Sequence, residues 1–297
     1  MAEASSPRPA FDNSRGERKL TSTQGSLRIL LAEDNKINQQ FASLVLNKAG
    51  HQVEIAANGR EAVDAVCRSD FDVVLMDIQM PELDGVQATR EIRALSEPKR
   101  RVPIIAVTAH AMVGAREQYL AAGMNGYISK PFQPALLLST MVEVLAMTAR
   151  PSMISVPEEA ADQADMRIDD LPVLDLEQLT LFGSVFSLPK MKTLASLYML
   201  DAEARLVLIG EYRAKNDFDG VSRQAHMIVS TAGNLGAKQT SALAHSLEIS
   251  CVNREDERSD QLIGALRASC ERSSGELKRW LSADSESGVR KLKSSEM

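Results

Sequence analysis

Five short apolar runs punctuate the first half of the chain: LRILLA (27–32), HQVEIA (51–56), FDVVLM (71–76), VPIIAV (102–107) and NGYIS (125–129). A helix-length segment follows each one: NQQFASLVLNKAG, GREAVDAVCRS, VQATREIRAL, MVGAREQYLAAG and PALLLSTMVEVLAM. The first, third and fourth runs are almost unbroken in their apolar character, as strands covered on both faces must be. The alternation predicts a five-stranded, doubly wound parallel sheet with helices on both sides. Ligands of such sheets bind beyond the carboxyl ends of the strands.

The punctuation changes in the second half. Strand signals stop, and LDLEQLTLF, LPKMKTLASLYMLDAEARLVLIGEYRA, FDGVSRQAHMIVSTAG, KQTSALAHSLEISC and RSDQLIGALRASCERSSGELKRWL read as helices of an antiparallel bundle. The fold class is therefore α/β plus all-α. The α/β unit covers 27–147 and the bundle 174–283, joined by an acidic, proline-bearing linker at 148–173. A Ser-, Pro- and Arg-rich arm (1–26), expected to be disordered, precedes them, and a polar tail (284–297) follows.

Composition narrows the function. The 297 residues suit two domains, and 44% of them are apolar, enough for real cores. A formal charge of −6 argues against a nucleic-acid binder held by bulk charge. No apolar run approaches the roughly 18 residues that span a membrane, and the start lacks the apolar stretch of an export signal. Three widely spaced cysteines, Cys67, Cys251 and Cys270, show no metal spacing and read as small buried apolar residues in a reducing, cytoplasmic compartment.

The residues just past the strands carry the chemistry. Glu33 and Asp34 follow the first strand, Asp77 the third, Thr108 the fourth and Lys130 the fifth. The topology brings them to one edge. Three carboxylates there raise one another's pKa, and a hard divalent cation such as Mg²⁺ relieves the repulsion. Lys130 and Thr108 add a positive charge and a hydroxyl, groups that suit a phosphoryl oxyanion. An aspartate in this setting can act as a nucleophile and form an aspartyl phosphate.

LLAEDNKINQQ, VVLMDIQMPELDG, AVTAHAM and GYISKPF resemble the signature segments of response-regulator receiver domains, especially those attached to hybrid histidine kinases. The resemblance implies a flavodoxin-like fold with Asp77 as phosphoacceptor. It implies that Mg²⁺ is held by Glu33, Asp34, Asp77 and the main-chain carbonyl of Gln79. Thr108 and Lys130 would hold phosphoryl oxygens, Tyr127 would be the switch aromatic, and a cis peptide bond would precede Pro131. His110 reads as a surface residue.

In the bundle, Val221, Ala225, Ile228, Ala232 and Leu235 form a helical buried stripe. His226 lies one step off it, on a face with Ser222, Arg223, Val229, Ser230 and Gly233 that is expected to be exposed. The segment RQAHMIVSTAGNLGA resembles the histidine phosphotransfer (Hpt) signature, which implies that His226 carries phosphate. The family usually has Lys three residues and Gly four residues after the histidine, where this chain has Val229 and Ser230. Arg223 is a candidate to compensate for the missing lysine. The two families meet through the first receiver helix, which implies contact of Ile37, Asn38 and Phe41 with Ser222, Ser230 and Gly233. His245 reads as structural or exposed.

The leading reading is a phosphorelay protein that accepts phosphoryl on Asp77 and relays it through His226. It has no ATP-binding kinase module of its own, and its partners are a sensor histidine kinase and a downstream receiver or Hpt protein. The alternative is a receiver-regulated docking or dimerisation module whose Hpt bundle does not transfer. A Mg²⁺-dependent phosphohydrolase is disfavoured, because the second acid such enzymes place two residues after the nucleophile is replaced by Gln79.

Overall fold

A computed structural model describes residues 25–108, 115–131, 133–149 and 168–291. Most of the expected arm and linker, the end of the tail, and His110 lie outside the described residues. Strands β1 (Arg28–Ala32), β2 (Gln52–Ala56), β3 (Val73–Asp77), β4 (Ile104–Thr108) and β5 (Gly126–Ser129) alternate with five helices. These are α1 (Lys36–Lys48), α2 (Gly59–Arg68), α3 (Gly85–Arg93), α4 (Ala115–Ala121) and α5 (Pro134–Ala149). All strands pair in parallel in the order β2-β1-β3-β4-β5. The order reverses between β1 and β3, and a crevice opens at such a point. The apolar runs behave as their composition requires: β3 and β4 are buried along their whole length, whereas the edge strand β2 is half exposed.

Alternation along the strands divides the core. Leu30, Ala32, Val74, Met76, Ile104 and Ala106 face one side of the sheet and pack with residues of α2, α3 and α4. Ile29, Leu31, Val73, Leu75, Ile105 and Val107 face the other, with α1 and α5.

The second half is helical throughout, with α6 (Leu176–Val185), α7 (Leu188–Ala214), α8 (Phe218–Asn234), α9 (Lys238–Val252) and α10 (Asp256–Lys291). Helices α7, α8, α9 and α10 close a four-helix ring in which each packs on the next. The expected stripe is the buried one: Val221, Ala225, Ile228, Ala232 and Leu235 are at most 1% exposed. Helix α10 continues past residue 283, where a polar tail was expected, to Lys291. Cys251 and Cys270 are buried as expected, but Cys67 is exposed, on the solvent side of α2.

The α1 face of the sheet and the bundle share one continuous core. Phe41 of α1 meets Phe182 and Phe186, at the end of α6, edge-on, with ring centroids 4.8 and 5.6 Å apart. Helix α1 also packs on α7 and α8. Truncation of a buried phenylalanine costs about 3–5 kcal/mol. Phe182→Ala is therefore expected to lower the urea-unfolding free energy by roughly that amount. It is also expected to raise the radius of gyration in solution scattering, because the ring that joins the two units is lost.

Candidate functional site

The parallel register delivers the acidic and basic residues to one edge. Glu33 follows β1, Asp77 closes β3, and Lys130 follows β5, its backbone N–H donating to the Thr108 carbonyl at 2.6 Å. Asn35 caps α1 by accepting from the N–H groups of Ile37 and Asn38, which turns the chain sharply after the acid pair. On the other side, Gly85 lies so close to the Asp77 carbonyl that a Cβ would stand 2.0 Å from its oxygen. Only glycine lets the loop after β3 close over the aspartate there.

Lys130 Nζ lies 2.6 Å from Asp77 Oδ2 and 2.8 Å from Glu33 Oε2, with all three side chains at most 3% exposed. The peptide bond before Pro131 is cis. Burial works against the Lys130 charge, but Asp77 and Glu33 outweigh it and hold the ammonium above the ordinary lysine pKa. Burial, then repulsion from Asp77, pushes the Glu33 carboxyl up, against the pull of Lys130. Asp34 is pushed up to about 6, first by burial and then by Glu33. Carboxylate oxygens of Glu33, Asp34 and Asp77 lie within 4.8 Å of one another, and the buried Asp34 Oδ1 has no hydrogen-bond partner. Three carboxylates facing one ammonium, with an unsatisfied oxygen among them, fit a hard divalent cation.

Thr108 is buried at the end of β4, and the Tyr119 hydroxyl donates to its Oγ1 at 3.2 Å. Tyr127 is half-buried against the α2–α4 side of the sheet. The Gln79 N–H donates to Asp77 Oδ1 at 3.2 Å.

His226 differs from expectation. Most of its face of α8 is buried rather than exposed: His226 and Val229 are each 6% exposed and Ser230 is 2%, while Ser222 is half-buried and Arg223 is exposed as expected. Ile37, Asn38 and Phe41 are buried on the α1 side. Asn234 Nδ2 donates to Asn38 Oδ1 at 2.9 Å, and a Cβ on Gly233 would stand 3.0 Å from Pro131 Cβ. His226 Nδ1 lies 3.1 Å from Glu248 Oε1 of α9. With Glu248 ionised, its carboxylate can only accept, and the tautomer that fits this contact has the proton on Nδ1 and the lone pair on Nε2. His245 is partly exposed, 3.8 Å from the other Glu248 oxygen. Between the two units lies a cavity of about 680 Å³, bounded by Asp34, Gln79 and Arg90 on one side and by Arg205, Arg223 and His226 on the other.

Family models match residues 29–142 as a response regulator receiver domain and 193–276 as an Hpt domain. The chain carries a receiver domain followed by an Hpt domain. Among its relatives, sensor histidine kinase GacS of Pseudomonas protegens is 28% identical over 264 residues, 86% of this chain and 28% of that protein. Sensor protein GacS of Pseudomonas syringae pv. syringae is 31% identical over 215 residues, 71% of this chain and 23% of that protein. The chain thus spans less than a third of these curated relatives. The crystal structure of a receiver domain from a Pseudomonas aeruginosa sensor histidine kinase, with magnesium in its active-site cleft, is 46% identical. It aligns over 41% of this chain and 99% of its own, with a TM-score of 0.39. Among the described residues, no helix is long and apolar enough to cross a membrane.

Three residues beside the receiver–Hpt boundary escaped the sequence reading. Glu248 was detectable, since it interrupts the apolar stripe Ala244, Leu247 and Cys251 of α9 and an acid there needs a partner. Asn234 lies inside the Hpt segment, but its partner Asn38 is on the receiver, and the tie of Arg205 to Gln224 of α8 is made only by the fold.

Asp34 binds its proton more tightly in the fold than in the unfolded chain, where the ordinary value of 3.8 applies. Its contribution to stability is therefore fully present below pH 3.8 and is lost as pH rises through about 6. At pH 7 without metal, Asp34→Asn is expected to stabilise the protein by ~1–3 kcal/mol. Millimolar Mg²⁺ should raise the melting temperature of the wild type and not of the variant. A variant that is less stable than wild type in EDTA at pH 7 contradicts the assignment.

Proposed function

We propose that the chain is a phosphorelay intermediate in which Asp77 of the receiver and His226 of the Hpt domain exchange a phosphoryl group within one molecule. The observation that carries this reading is the shared cavity, with Asp34 of the acidic cluster and Gln79, two residues after Asp77, on one wall and His226 on the other. Transfer starts from an acyl phosphate on Asp77. The His226 Nε2 lone pair attacks phosphorus, the bond from phosphorus to the Asp77 oxygen breaks, and Asp77 departs as a carboxylate. The resulting imidazolium keeps its proton on Nδ1, which donates it to the Glu248 carboxylate, so no proton has to leave during the step. The reverse step runs through the same atoms.

Glu33, Asp34, Asp77 and the main-chain carbonyl of Gln79 are the groups that would hold Mg²⁺. When bound, the ion supplies positive charge to the carboxylates and to the phosphoryl oxygens. Lys130 pairs with the phosphoryl group and Thr108 donates its hydroxyl to it, with Tyr127 responding to the movement of Thr108. The first donor is a histidine kinase, separate or part of a longer chain, and the recipient a further receiver or Hpt protein in the cytoplasm.

With radiolabelled acetyl phosphate and Mg²⁺, the wild type is expected to form both an aspartyl phosphate and an acid-labile phosphohistidine. Asp77→Asn should form neither, and His226→Gln only the first. If His226→Gln labels identically to wild type, the bundle is a docking module and the relay reading falls. Gly233→Trp should slow transfer at least tenfold while Asp77 labels normally, because an indole there collides with Pro131 and displaces the reacting atoms.

A further inference from the structure

A phosphoryl group in transit brings about two negative charges into a cavity already walled by carboxylates. On the receiver side, Lys130 is shared between Asp77 and Glu33. On the Hpt side, α8 offers no lysine beside His226, and Val229, at the position where the family usually has one, is 6% exposed and packed in the shared core. An ammonium restored there would therefore be buried in apolar surroundings, not placed at an exposed site.

Three arginines line the cavity: Arg90, Arg205 and Arg223. Arg90 and Arg223 are exposed. Arg205 of α7 is held. Its Nε donates to Asp201 Oδ2 at 2.7 Å and its Nη1 to Gln224 Oε1 at 3.0 Å, with the side chain 17% exposed. Gln224 lies two residues before His226 on α8, so the guanidinium is tied to the helix that carries the histidine. It lines the same cavity as Asp34 of the acidic cluster. Two of its five N–H groups are used by Asp201 and Gln224, which leaves donors in a fixed fork for a phosphoryl oxygen.

We propose that Arg205 supplies the positive charge that stabilises the phosphoryl group as it passes between Asp77 and His226. The role rests on the relay reading above. It makes Arg205 a catalytic residue contributed by α7, in place of a cation on the histidine helix.

The test uses the full chain, with Asp77 labelled by acetyl phosphate and the appearance of phosphohistidine followed by rapid quench. Preorganised donors to a developing oxyanion are worth about 10²-fold. Arg205→Gln, which keeps hydrogen-bonding capacity without charge, is expected to slow transfer about 10- to 100-fold while Asp77 labels within twofold of wild type. Arg205→Lys, which keeps the charge without the fork, should recover most of the rate. The gap between wild type and Arg205→Gln should narrow at high salt. Wild-type transfer in Arg205→Gln, or equal loss in the Lys and Gln variants, overturns the proposal and leaves the relay reading standing. A wild-type chain that labels on Asp77 and never forms phosphohistidine overturns both.

Discussion

One buried ammonium organises the molecule. Lys130 sits between Asp77 and Glu33 with its side chain 1% exposed, and removing one partner of a buried pair costs about 3–5 kcal/mol. Three strands must therefore end in register, because the three groups come from β1, β3 and the residue after β5. The parallel order, with its reversal between β1 and β3, is the arrangement that satisfies this. The constraint extends further. Glu33 Oε1 accepts from Asn38 Nδ2 at 3.0 Å, and Asn38 Oδ1 accepts from Asn234 Nδ2 of the Hpt domain. A continuous polar path runs from the acid on β3 to the end of α8, each member paired with the next.

Helix α1 consequently serves both units. Its Phe41 completes the receiver core and contacts the aromatic residues at the end of α6, while Asn38 connects the acid cluster to α8. Near this contact, receiver residues bound the cavity that His226 lines. A histidine on a solvated helix is free to rotate, but here Glu248 fixes one ring nitrogen and the receiver bounds the space in front of the ring. Tethering two reactive sites within one chain raises their effective concentration to the millimolar range, and a preformed interface adds orientation. On the relay reading, one surface supplies both docking and chemistry.

Much of this was legible in the residues. The five βα repeats, the all-helical second half and the convergence of Glu33, Asp34, Asp77, Thr108 and Lys130 at the strand ends follow from strand period and parallel topology. The stripe from Val221 to Leu235 followed from helical period. Burial of His226 did not, because a helical wheel reports which face is apolar, and a face of Ser, Val and Gly reads as solvent until a partner is placed on it. The burial of Val229 has the same cause. Arg205 was invisible for a related reason: it lies more than a turn away from every motif, and its meaning depends on the crossing of α7 and α8. Residues that act within one element announce themselves by spacing, whereas those that act between elements need the fold.

The central claim is that the aspartate and the histidine of one chain react with each other. The direct measurement is the first-order rate of phosphoryl transfer from Asp77 to His226 over a hundredfold range of protein concentration, in Mg²⁺ and after removal of excess acetyl phosphate. Reaction across the internal cavity predicts a rate constant that does not change with concentration. A rate constant that rises in proportion to concentration would mean that the two sites meet only between molecules, and would contradict the account.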